Sequence, residues 1–220
     1  MKQKIEIEVP KDWSAVSLKD YLAFRKDMDA YKDEPEAVIA CMFHHLCHFP
    51  VQYLQSLDIE TYTAVRDDLF SFIQKLDYPL QKFITIDGVE YGFEPDLSKM
   101  SYGAYVDISK YNAIGIDENW ASVMSILYRP VTHKSKTLYD IEPYKAQINP
   151  ELFEDVPMDV HFGAVFFFNS LLKDLLNSTL SSLMQEKALP HNIKSILEEN
   201  GNLIRHLSNW QGTISSKWMK

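Results

Sequence analysis

The chain opens on an alternation. Residues 2–9 set apolar Ile5, Ile7 and Val9 between polar neighbours, a period of two that predicts a half-buried strand closed by Pro10. The period then lengthens. Leu18, Tyr21, Leu22, Phe24 and Met28 recur at helical spacing, and Ser17 with Asp20 starts that helix as a capping box. A second helix is predicted from Pro35 to about Phe49, with proline in its first turn and Pro50 as its stop. A third covers roughly Glu60 to Leu76, with Tyr62, Val65, Leu69, Phe72, Ile73 and Leu76 on one side. The runs KFITI and VEYGF are joined by Asp87-Gly88. That dipeptide predicts a two-residue hairpin, because a type I′ turn needs positive φ at both central positions.

Past Pro95 the pattern gives a loop and a short helix from near Ser101. Asp117 or Asn119 then caps a helix through ENWASVMSILY that ends at Arg129-Pro130. Residues 131–150 are mixed and polar and contain Pro143 and Pro150. They read as a loop or arm with one short helix, the seam of the molecule. From Val156 to Ala188 runs one long helical candidate, striped by Phe162, Val165, Phe166, Leu172, Leu176, Leu180 and Leu183 and ended by Pro190. A last helix covers Asn192 to about Trp210, bent near Gly201. The fold class expected is mainly α with a small antiparallel β element (α+β): a helical bundle with one β-hairpin and an N-terminal strand. Its organisation is an α+β domain over 1–131, an arm over 132–155, and C-terminal helices over 156–220. A helix of about 30 residues would run about 45 Å, longer than a domain of this size needs, so it calls for a partner surface.

Composition removes function classes. The net charge is −9 from 22 basic and 31 acidic residues, a poor footprint for specific nucleic-acid binding or for an anionic membrane. Glycine numbers seven, and no glycine-rich phosphate loop, G-x-S-x-G or H-E-x-x-H appears, so no cofactor is expected. The most apolar run, Val160 to Leu176, carries His161, Asn169, Lys173 and Asp174 and is too short and polar to span a bilayer. Two cysteines make no disulfide framework, and MKQKIEIEVPKDW lacks the apolar core of a secretory signal, so a reducing cytoplasm is expected.

Some residues invite chemistry. CMFHHLCHF places Cys41, His44, His45, Cys47 and His48 so that three fall on one helix face, offering thiolate and imidazole to zinc. The same residues could instead be a cysteine nucleophile and its histidine, which needs an exposed, electropositive pocket. The bland reading is a buried helix with small apolar thiols. The acid groups Asp67-Asp68, Glu198-Glu199 and Glu151/Glu154/Asp155 fit a solvated surface better than paired acid–base catalysis. Thr132 to Lys136 form a small basic loop. Twelve Tyr, twelve Phe and four Trp point to large rings in the core, at interfaces, or both. The interface candidates are Tyr102, Tyr105, Trp120, Tyr128, Arg129, Phe162 and Phe166.

One stretch carries a resemblance. EYGFEPDLSKMSYGAYVDISKY, followed by ENWASVMSILYRPV, resembles proteins of the tail, neck or tail-assembly module of tailed bacteriophages, crAss-like phages included. Phe93, Pro95, Asp96 and Leu97 match one segment. Gly103, Tyr105 and Asp107 match a helix start, and Leu127, Tyr128, Arg129 and Pro130 match a helix end. IEIEVP and SLKDYLAF match the opening. Ala104 stands where that family often has an acid. The likeness covers roughly residues 1–185 and is best between 90 and 131. It implies no catalytic residues. It implies a virion component, ring-like and homo-oligomeric, at the head-tail connector or tail, assembled in the host cytoplasm and touching tail, neck or portal-proximal proteins. The alternatives are a tail or baseplate assembly chaperone not retained in the particle, and an enzyme or metal-binding protein built on the Cys41–His48 cluster.

Overall fold

The computed structural model describes residues 7–75, 78–114, 116–136, 138–168 and 170. Helices α1 (Leu18–Ala30), α2 (Pro35–Cys47) and α3 (Ile59–Ile73) come first, then strands β1 (Phe83–Ile86) and β2 (Val89–Phe93). Helices α4 (Tyr102–Ile114) and α5 (Ile116–Leu127) follow, then β3 (Tyr128–Lys134), β4 (Tyr139–Ile141) and the single turn α6 (Glu151–Glu154). The chain is helical again from 158 to 168. The fold is mainly α with a small antiparallel sheet, an α+β class.

Local chemistry explains the boundaries. The Ser17 hydroxyl accepts from the Asp20 amide at 3.1 Å and caps α1, satisfying a donor that the first turn leaves free. Asp58 does the same for α3 through the Thr61 amide at 2.9 Å. Pro35 opens α2, which ends two residues short of Phe49 because His48 turns left-handed at φ 50°. In α5, Asn119 departs from helical geometry (φ −123°, ψ 15°), which marks the break where the regular helix starts. Asp87 (φ 49°) and Gly88 (φ 78°) make the turn between β1 and β2, with Ile86 opposite Val89.

One expectation changes, and two others fall wholly or partly outside the described residues. The sheet has four strands in the order β1-β2-β3-β4, so β3 and β4 occupy ground read as a loop and seam. Pro130 masked β3. Its neighbour pairs, Gly92 with Arg129 and Glu94 with Leu127, carry the bonds to β2. Pro130 therefore points its donor-less nitrogen away from β2, and its carbonyl accepts from Glu142 at 2.9 Å. Residues 7–9 form no strand, and 1–6 lie outside the described residues. The long C-terminal helix is described only to 170; the rest of it, the last helix and the basic tail lie outside the described residues.

The core lies where α1, α2, α3 and α5 meet the 158–168 helix and the inner face of the sheet. Leu18 N–H bonds Val156 carbonyl at 3.1 Å and Met158 N–H bonds Val16 carbonyl at 2.8 Å, stitching the start of that helix to the start of α1. Gly163 lets the chain at Pro79 come close: a Cβ there would sit 2.5 Å from the Pro79 carbonyl oxygen. Phe162 is the hub. Its ring centroid lies 5.3 Å from Trp13, 5.7 Å from Tyr21 and 5.8 Å from Trp120, all edge-on.

Candidate interaction surface

Six of the seven interface candidates separate into three groups, and Arg129, mostly buried against Glu94, is corrected from the interface to an internal ion pair. Trp120, Tyr128 and Phe162 are 2%, 1% and 1% exposed, so they are corrected from interface residues to core. Rings this large are drawn from water first, and the chain's own helices cover them. Phe166 is half-buried, stacked on Phe162 at 5.7 Å. Tyr102 and Tyr105 stay outside at 81% and 57% exposure, joined on α4 by Val106 at 40%.

The Cys41–His48 cluster does not converge. Cys41 is buried, His44 and His48 face solvent, and His45 Nε2 meets the Asp27 carboxylate at 2.8 Å, tying α2 to α1. Burial pushes the Cys47 thiol up to about 11, and burial plus the Asp27 charge raises Cys41. Neither is the depressed thiol a nucleophile requires. Among the described residues no group of three or more His, Cys, Asp or Glu side chains comes together as a metal site.

Polar side chains gather instead between α4, the sheet and the segment 142–149, called the strap. Arg129, at the start of β3, pairs with Glu94 just past β2, and the two side chains are only 11% and 10% exposed. Tyr144 of the strap donates its hydroxyl proton to Asp107 on α4. Burial and that carboxylate hold the phenol well above its ordinary range, so it stays a donor. The Tyr139 hydroxyl bonds the Phe93 carbonyl at 2.6 Å, and the Tyr128 hydroxyl bonds the Gln81 carbonyl at 2.6 Å. Glu94 and Tyr144 carried no sequence signal; each acts through a partner 35 or 37 residues away.

A cleft of about 290 Å³ opens beside this network, lined by Tyr91, Pro130, Pro143, Tyr144, Leu152 and Arg129 among others. Elsewhere Lys134, expected in a basic loop, ends strand β3 and is committed: its Nζ lies 2.7 Å from Glu90 and 3.6 Å above the Phe83 ring. Asp67 pairs with Arg66 at 2.7 Å, and Glu151, Glu154 and Asp155 are exposed. The pair Glu198-Glu199 lies outside the described residues.

The stretch from 90 to 131 thus divides by role. Phe93, Leu127 and Tyr128 fill the core, Asp96 caps a turn through the Ser98 amide at 3.0 Å, and Asp107 and Arg129 join the network. Tyr105 keeps its large side chain in water. No protein family, curated protein or solved structure matches this chain. Among the described residues no helix is long and apolar enough to cross a membrane.

Proposed function

We propose that the chain is a non-enzymatic component of a tailed-phage particle, placed at the head-tail connector or tail, and that it assembles by protein–protein contact. The observation that carries this reading is the outer face of α4. Tyr102 and Tyr105 stand one helical turn apart at 81% and 57% exposure, on a helix whose Ala104 and Ile108 are buried. Large rings held in water cost the free monomer and gain most when a partner covers them; tyrosine does this with few rotatable bonds to freeze. That face lies in the stretch whose likeness to tail and neck proteins is best.

Mass spectrometry of purified virions tests the reading. The chain should be present in stoichiometric amount, and size exclusion with light scattering should give a discrete homo-oligomer. Absence from mature particles, with recovery bound to a tail component in lysates, would replace it with an assembly chaperone. A monomer that turns over a substrate through Cys41 or His45 would overturn it altogether.

A further inference from the structure

We infer that the free edge of β1 pairs, antiparallel and about a two-fold axis, with the same edge of a second copy of this chain. The contact stands apart from the α4 face and does not depend on the chain belonging to a virion.

The register shows which backbone groups are free. Phe93 N–H bonds the Lys82 carbonyl at 2.9 Å, and bonded and unbonded pairs alternate from there along an antiparallel ladder. Ile84 with Tyr91 and Ile86 with Val89 are therefore the bonded pairs. Phe83 and Thr85 turn their N–H and C=O groups away from β2, and no described residue's backbone takes them up. β1 is first in the sheet order, so that side is an edge.

The sheet's other edge is guarded and this one is not. β4 is three residues long, carries Asp140 at its centre, pairs through a register shift between Val131 and His133, and meets Pro143 two residues on. Short length, charge, a bulge and proline are the devices that keep an edge from accepting another strand. β1 has four residues in unbroken register, with no charge and no proline among them. Its own sequence refuses nothing.

Symmetry and charge pick the occupant. With Phe83 opposite the partner's Thr85, every free N–H of the two strands meets a free C=O, and both copies use the same groups. The edge is thus its own complement. On one face a ring meets a β-branched residue, a favourable cross-strand pair, and on the other Ile84 meets the partner's Ile84. Exposed Lys82 and Asp87 bracket the strand. Antiparallel pairing brings each Lys82 to the Asp87 end of its partner, whereas a parallel copy would set like charges together. A two-fold contact closes on itself: it gives a dimer alone, and an even number of copies in any larger assembly it joins.

Native mass spectrometry and light scattering of the full chain count the copies, and NMR hydrogen exchange reads the Phe83 and Thr85 amides. Even-numbered species are expected, with both amides protected and that protection falling on dilution. Thr85→Pro deletes an outward N–H that β2 does not use, so the hairpin should survive while the Kd of the pair rises about tenfold or more. Thr85→Lys leaves the backbone whole and puts a charge on the edge, and should weaken pairing as well. The Tyr102→Ser/Tyr105→Ser variant should keep both amides protected, which separates this contact from α4. Absence of the chain from virions would leave these readouts as they are. A chain that stays monomeric, an odd-numbered oligomer, or an oligomer that Thr85→Lys leaves intact overturns the inference. So do amides still protected in the monomer, which would show the edge covered by its own chain.

Discussion

Around Phe162 the rings close on one another; around Tyr144 they turn to polar partners and to water. The first region joins Trp13, Tyr21, Phe72, Trp120 and Phe162, each at most 2% exposed, through edge-on and tilted contacts of 4.5–5.8 Å. The second joins Glu94, Arg129, Tyr144 and Asp107 by an ion pair and a hydrogen bond, beside a cleft and two exposed tyrosines. Aromatic richness therefore has two sources in this chain. One holds the fold and the other decorates a surface, and substitutions should separate them.

The largest effect is expected at the hub. Phe162→Ala removes a ring packed against Trp13, Tyr21 and Trp120, and should cost about 3–5 kcal/mol in urea unfolding. A loss below about 1 kcal/mol would mean the region collapses to fill the gap, and the contrast with the strap side would fail.

Next comes the ion pair. Arg129→Ala leaves the Glu94 carboxylate behind in a setting only 10% exposed, and should cost about 3–5 kcal/mol. Replacing both residues with methionine should recover most of that loss, since no charge is then stranded. A melting point unchanged in Arg129→Ala would return Arg129 to the interface.

The third effect depends on pH. His161 is fully buried, and that burial keeps the ring neutral even though its Nε2–H donates to the Phe153 carbonyl at 3.1 Å, a bond that favours the charged form. Burial lowers its pKa from 6.5 to about 3. Below pH 6.5 the unfolded chain takes up a proton that the folded chain refuses. The stabilisation is therefore complete above 6.5 and drains away toward pH 3, by up to about 1.4 kcal/mol per pH unit. Asp12, Asp58 and Asp96 also lose stability on acidification, but only below their ordinary 3.8, because hydrogen bonds to nearby Ser and Thr residues lower them. Urea midpoints between pH 6.5 and 4.5 isolate the histidine, and His161→Gln should flatten that slope.

Short-range chemistry made half of this fold legible. Asp87-Gly88 demands one turn, Ser17 with Asp20 demands one cap, and Pro35 with Pro50 brackets one helix. The hidden parts depend on partners far along the chain. β3 was hidden because Arg129-Pro130 reads as a helix stop and the residues after it are mixed and polar, and only the strand across from it shows that the missing donor of Pro130 is harmless. The candidate surface was half legible. Tyr102 and Tyr105 were in view, whereas Trp120, Tyr128 and Phe162 carry the same residue chemistry and differ only in what the fold packs over them. Helical spacing cannot say which face of α4 is covered, since Tyr102, Ala104, Tyr105 and Ile108 put apolar groups on both sides.

The smallest effect on stability is expected at those two tyrosines, and it is the one that bears on function. The Tyr102→Ser/Tyr105→Ser double variant removes rings that the monomer leaves in water, so unfolding should change by no more than about 0.5 kcal/mol. Association should suffer out of proportion. If these rings anchor a contact, losing both should cost about 2 kcal/mol or more of binding, seen by light scattering as a shift toward smaller species at the same concentration. Phe162→Ala should do the reverse, weakening the fold while any oligomer that still forms keeps its size. A double variant that unfolds early would show α4 already covered by the chain itself. One that folds and associates like the wild type would move the contact off α4, and the β1 edge would then have to carry association alone.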